Sequence, residues 1–182
     1  MCQYITITLP KEINLNEVKP LFDQYEMSQH LIHNSYVQTQ LNSDDDYINT
    51  TSRMCDCDSV IASNPQHLNL EEKYASDIKR KKKKGWSETK INRWVAQKEN
   101  SGRNEELQQD NERWVQFLTE LLNENQIGKV GILIHWYDWG LENEFIDVKE
   151  KRRIQFDDIV DDTLENMEYD IRYEIERWEN WH

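Results

Sequence analysis

The sequence predicts an α+β fold, with a small sheet built from strands near both ends of the chain and packed by helices. Three observations carry this expectation. Residues 3–9 alternate apolar and polar side chains, residues 129–136 are apolar on both faces, and the stretch between them repeats its apolar residues at helical spacing. The central helices read as an insertion over about residues 68–127 of one domain spanning 1–182, a length that fits a single domain.

Gln3-Tyr-Ile-Thr-Ile-Thr-Leu9 is the first strand, ended by Pro10. Asn14 or Asn16 caps a helix to about Met27, with Val18, Leu21, Phe22 and Tyr25 on one side. Residues 30–41 are weakly strand-like, and Asp44, Asp45 and Asp46 mark a solvated turn. The cysteine segment, Tyr47 to Ser63, starts extended and changes character at Val60-Ile61-Ala62. A helix is expected from Leu70 to about Lys84, broken by Gly85, and Ser87 caps the next one, which carries Ile91, Trp94 and Val95. A longer helix runs from about Glu105 to Asn125 with Leu107, Trp114, Leu118, Leu121 and Leu122 at helical spacing.

Lys129 to Trp136 is the clearest strand and belongs inside a sheet covered on both sides. Phe145–Val148 and Arg153–Phe156 are expected as short extended pieces. Asp157 or Asp158 then caps a final helix whose stripe is Val160, Leu164, Met167, Ile171, Ile175 and Trp178.

Apolar residues make up 37% of the chain and charged residues 31%, with a formal net charge of −13. Seven Trp, eight Tyr and four Phe offset the low apolar share, because each aromatic buries a large area. No apolar run approaches the ~18 residues of a membrane span. The N-terminus lacks the features of a signal peptide, and three cysteines do not suggest a disulfide framework, so a reducing cytosol is the expected setting.

The charge is sorted along the chain. Residues 79–98 carry nine basic side chains and one acidic, while the rest of the chain is strongly acidic. Lys79-Arg-Lys-Lys-Lys-Lys84 reads either as a phosphate contact, with Trp86 and Trp94 for stacking, or as a solvated helix end placed at the negative pole of the helix dipole. The net charge favours the second and makes nucleic acid an unfavoured partner. The acids of the last segment, among them Asp157, Asp158, Asp161, Asp162, Glu165 and Glu168, read either as a solvated face or, with Trp178, as a surface for a basic partner.

Arg53-Met-Cys-Asp-Cys-Asp58 is the most unusual local sequence. In an extended chain Cys55 and Cys57 share one face and Asp56 and Asp58 the other. Two thiols on one face suit zinc, which takes four tetrahedral ligands. Cys2 is the candidate third ligand, and His33, with His30 and His67 as alternatives, the fourth. A single C-x-C lacks the specificity of paired C-x-x-C motifs, and two inert thiols explain it equally well.

His135, Tyr137 and Trp139 alternate onto one face at the end of the buried strand and form the candidate ligand pocket, with Glu142 and Glu144 nearby. Aromatics sealing the end of a core would look the same. A cysteine, a histidine and an aspartate for nucleophilic chemistry exist in the chain, as in almost any protein of this composition. There is no G-x-S-x-G, phosphate loop, dinucleotide fingerprint, H-E-x-x-H or zinc-deaminase signature.

These readings point to a non-enzymatic acidic protein that binds another macromolecule, such as an inhibitor or immunity-type protein engaging a basic partner, without a cofactor or a membrane. The alternative is a structural zinc-binding or small enzyme-like domain centred on Cys55 and Cys57.

Overall fold

The computed structural model describes residues 2–41, 44–63, 74–100, 103–124, 127–138, 140–159 and 163–177. Among them is a six-stranded mixed sheet ordered β2-β3-β1-β4-β6-β5. The strands are β1 (Cys2–Pro10), β2 (His30–Leu31), β3 (Asp45–Asn49), β4 (Lys129–Tyr137), β5 (Glu150–Gln155) and β6 (Ile171–Glu176). The helices are α1 (Leu15–Gln24), α2 (Ser35–Gln38), α3 (Ala75–Lys83), α4 (Glu88–Asn100) and α5 (Arg103–Glu124). The α+β architecture and the helices inserted between N- and C-terminal strands agree with the sequence. No helix among the described residues is long and apolar enough to cross a membrane.

β1 lies in the middle of the sheet, antiparallel to both β3 and β4. Its alternation decides what each face carries. Ile5, Ile7 and Leu9 point into the main core, with Ile48, Ile132, Ile134, Tyr173 and Ile175 from neighbouring strands. Val18, Leu21 and Phe22 of α1 and Trp114, Phe117, Leu118 and Leu121 of α5 close that face. Asn14 caps α1, its side chain accepting from Asn16 N at 3.1 Å.

The opposite face carries Thr6, Thr8, Tyr47, Leu133 and Tyr137. A smaller cluster of Ile32, Val37, Leu41 and Ile146 covers part of it. Asn34 holds this cover in place: it caps α2 by accepting from Tyr36 N and Val37 N, while its Nδ2 donates to Leu141 O and Glu144 O at 2.9 Å. Gly131 is needed on this face, since a Cβ there would lie 2.3 Å from Thr8 Oγ1 and 3.1 Å from Arg172 Nε.

Three expectations are corrected. Among the described residues the final helix does not form: Phe156–Asp158 is a single 3-10 turn, Leu164 and Met167 enter the core outside any helix, and Ile171–Glu176 is β6, while Val160 and Trp178 lie outside the described residues. Ile171, Tyr173 and Ile175 alternate toward the core while Arg172 and Glu174 face the other way, so strand period wins over the helical spacing of Ile171 and Ile175. Phe145–Val148 lies in no strand. Ile146 is buried there as part of the cover, and Val148 N donates to Gln40 Oε1 at 2.8 Å rather than to a sheet neighbour. Over residues 30–41 only His30 and Leu31 pair as a strand before the Asn34 cap starts a turn of helix.

Candidate functional site

The loop after β3 returns to β1 and is built largely on one carboxylate. Asp56 Oδ2 accepts Ile5 N at 2.8 Å and the Thr51 hydroxyl, and Asp56 N donates to Gln3 O at 2.9 Å. The side chain thus takes the place of a strand partner that β3, ending at Asn49, no longer supplies. Tyr4 Oη reaches across to Met54 O at 2.9 Å. On the far side of the loop Asp110 of α5 accepts Ser59 Oγ at 2.8 Å and Val60 N at 2.7 Å, and it is paired with Arg113.

Between loop and helix lies a cleft of about 440 Å³. Glu26, Asp56, Asp58, Glu106 and Asp110 line it with Cys55, Arg53, Arg113 and Trp114. Asp56 and Asp110 are engaged with the loop. Glu26, Asp58 and Glu106 form no ion pair among the described residues. Trp114 is 2% exposed, and its indole N–H has no acceptor among the described residues. Burial pushes the Asp56 carboxyl up, against the lowering effect of the Thr51 hydroxyl and Ile5 N–H.

The Cys55 and Cys57 thiols do come together, but the expected separation of the aspartates from them does not hold, because Asp56 to Ser59 is a turn closed by Ser59 N donating to Asp56 O at 3.0 Å. Cys55, Asp56 and Asp58 therefore reach the same cleft instead of alternating. The three cysteines nonetheless converge around Tyr4. Cys2 and Cys55 are half-buried and Cys57 is exposed, all as free thiols. Burial pushes the Cys57 thiol up to about 11, helped by the hydrogen-bonded Cys55 thiol and by Cys2. The same groups raise Tyr4, after burial.

No protein-family model, curated protein or solved structure matches the chain.

His33 does not join the thiols. It lines a second cavity, of about 300 Å³, with Lys11, Asp45 and Asp46. Asp45 and Asp46 pair with Pro10 and Leu9, while Cys2 starts β1, so roughly 20 Å of strand separates the two places. Among the described residues no three His, Cys, Asp or Glu side chains are arranged to hold a metal ion.

His135 and Tyr137 do share a face, their rings meeting edge-on with centroids 4.8 Å apart. Tyr137 is buried and its hydroxyl is held 2.9 Å from Tyr47 Oη, which in turn accepts from Thr6 Oγ1. His135 Nδ1 lies 2.5 Å from Asp170 Oδ1, and Lys149 Nζ lies 2.8 Å from Asp170 Oδ2. His135 Nε2 is buried with no partner among the described residues. Neither cavity is lined by these residues, and Trp139 lies outside the described residues.

Of the candidate acidic surface, Asp157 and Asp158 are exposed on the 3-10 turn, Glu165 is half-buried and Glu168 is paired with Arg152. Asp161, Asp162 and Trp178 lie outside the described residues. The cleft residues Glu26, Glu106, Asp110, Arg113 and Trp114 carry no sequence signal of their own, because only the packing of α5 over the loop gathers them.

Proposed function

We propose that the protein is a non-enzymatic acidic binding protein, and that the cleft beside Cys55 receives a Lys or Arg side chain of a basic macromolecular partner. An inhibitor or immunity-type protein works in this way. The observation that carries the reading is the set of three carboxylates, Glu26, Asp58 and Glu106, that form no ion pair among the described residues around a cavity of side-chain size. Carboxylates that are poorly paired before binding also speed the approach of a cationic partner.

A fluorescent Arg- and Lys-rich peptide tests the reading by anisotropy against the wild-type protein and E26Q/D58N/E106Q. Binding weakened at least tenfold in that variant, but kept in D157N/D158N/E165Q, is the expected result. Equal binding to wild type and the cleft variant rules the reading out.

A second reading is a thiol-centred metal site, favoured by the convergence of Cys2, Cys55 and Cys57 around Tyr4. Such a site would need a fourth ligand other than His33 and rearrangement of the thiols. Elemental analysis of protein purified without chelators decides it: zinc well below one equivalent removes this reading.

A further inference from the structure

The basic block forms a surface of its own. α3 and α4 make a hairpin around Lys81, whose Nζ lies 4.1 Å from the centroid of Trp86 and 3.9 Å from that of Trp94. Lys90 Nζ lies 4.3 Å from the Trp86 centroid, and Tyr74 meets Trp94 edge-on at 5.8 Å. Gly85, at φ +75°, turns the chain between the helices, and Ser87 Oγ accepts Lys90 N at 3.3 Å. The Trp86 and Trp94 rings are thus turned toward Lys81, with the exposed Lys90 also against Trp86, and they fix the shape of the hairpin.

The remaining cations point outward. Lys79, Lys82, Lys83, Lys84, Lys90 and Arg93 are exposed, and none forms an ion pair among the described residues. Arg80 pairs with Asp77 of its own helix at 2.7 Å. Among the described residues the acidic C-terminal segment does not pair with the basic block: its Glu168, Asp170, Glu174 and Glu176 pair with Arg152, Lys149, Arg172 and Arg153 instead. Lys79, Lys82 and Lys83 fall on one side of α3 at three- and four-residue spacing, and Lys90 and Arg93 repeat this on α4. The helix dipole accounts for the lysines at the C-terminal end of α3. Lys90 sits in the first turn of α4, where the dipole disfavours a cation, and there it is held by the Trp86 ring.

We infer that the exposed face of the α3–α4 hairpin binds the phosphate backbone of a nucleic-acid duplex, without reading sequence. The net charge of −13 argues against this at long range. At physiological salt, however, charges farther than about 8 Å are screened, so the local cations decide the contact. The chemistry of the face selects among polyanions. It carries no exposed large apolar side chain for a bilayer to take up, such residues lying only at Tyr36, Met54 and Phe145 among the described residues. It is lysine-rich and its aromatics face inward, whereas protein interfaces are depleted in Lys and anchored by aromatics. Lysines cover the Trp86 ring, which leaves it a poor platform for the bases of a single strand. What remains on offer is a set of point charges suited to phosphates.

The test is fluorescence anisotropy of the full chain with a labelled mixed-sequence duplex of about 20 base pairs, titrated from about 50 mM salt upward. Wild type is expected to bind, with log affinity falling linearly against log salt. K79E/K82E/K83E should bind at least tenfold more weakly, with a salt slope shallower by about three, one for each lost phosphate contact. K19E/K151E/R177E, which changes the net charge equally on other surfaces, should stay within about twofold of wild type. Absence of wild-type binding at the lowest salt overturns the inference, as does an equal loss in both triple variants. Tighter binding to phosphatidylserine vesicles than to the duplex, abolished by the same three lysine reversals, would assign the face to a membrane instead and overturn it as well.

Discussion

Arg172 Nη2 meets Asp45 Oδ2 at 2.5 Å in a place closed to water, the two side chains being 1% and 2% exposed. Glu174 Oε1 lies 3.2 Å from the same nitrogen, and Arg172 Nη2 also donates to Thr8 Oγ1 at 3.2 Å. The guanidinium lies against Gly131 and joins β6 to the far end of β1 and to β3. Its Nε and Nη1 find no hydrogen-bond partner.

Removing this cation leaves two buried carboxylates facing more distant cations, Lys129 Nζ at 3.6 Å from Asp45 Oδ1 and Arg153 Nε at 3.7 Å from Glu174 Oε2. Arg172→Met is expected to lower stability by about 3–5 kcal/mol, the range for breaking a buried pair from one side. D45N in the same chain should recover part of the loss, because it removes one of the two buried charges that Arg172 neutralised. Urea unfolding of the two variants checks this, and a double variant less stable than Arg172→Met alone would contradict it.

Gly131→Ala forces a methyl group to within 2.3 Å of Thr8 Oγ1 in the middle of the sheet. A loss of about 1–3 kcal/mol is expected from overpacking. Thr8→Ala combined with it should cost less than the two single changes added together, since the closest clashing atom is then absent. Thermal unfolding of the four chains in that cycle measures the coupling.

Asp170 sits at φ +63° between His135 and Lys149. Burial alone would push its carboxyl up, but hydrogen bonds from His135 and Lys149 outweigh burial and hold it below the usual range. A carboxyl depressed by folding stabilises the fold above its unfolded value of about 3.9, and that contribution is lost as pH falls through the folded value. D170N suits the test because Asn tolerates this backbone conformation. The variant should be less stable by about 1–3 kcal/mol at pH 6. The gap to wild type should narrow steadily below about pH 4, and a gap constant down to pH 2 would show that Asp170 acts without its charge.

Cys57 is the exposed thiol of its cluster, yet at a pKa of about 11 it is mostly protonated at pH 8. Its small thiolate fraction, partly offset by greater intrinsic nucleophilicity, should make iodoacetamide labelling about tenfold slower than for an ordinary thiol. Cys55→Ala removes the thiol partner that raises it and should speed labelling of Cys57. Mass spectrometry of peptide 55–57 over time reads both rates.

How far the fold is legible follows from where its instructions lie. β1, β4, α1 and α5 are encoded locally, by an alternating run, a doubly apolar run and two amphipathic stripes, and they form within a few residues of expectation. The segment Ile171-Arg-Tyr-Glu-Ile-Glu176 satisfies two periods at once. Tyr173 decides for the strand, because only alternation places it with Ile171 and Ile175 against Val130 and Ile132 of β4. The cleft was not legible in the sequence, since its acids come from the turn after α1, the loop and α5, which no spacing connects.

The outermost strand has a consequence for the protein in a crowded solution. β5 lies on the rim of the sheet with its backbone open on one side, a template on which another chain can grow a strand. Its sequence, Glu-Lys-Arg-Arg-Ile-Gln, places four successive charges along that rim, and β2 at the other rim is only two residues long. Arg152 is held by Glu150 and Glu168, while Arg153 is set between Glu174 and Glu176. An incoming strand would have to strip water from these ions before pairing. The same ladder that fastens β5 to β6 thereby guards the molecule against edge-to-edge polymerisation.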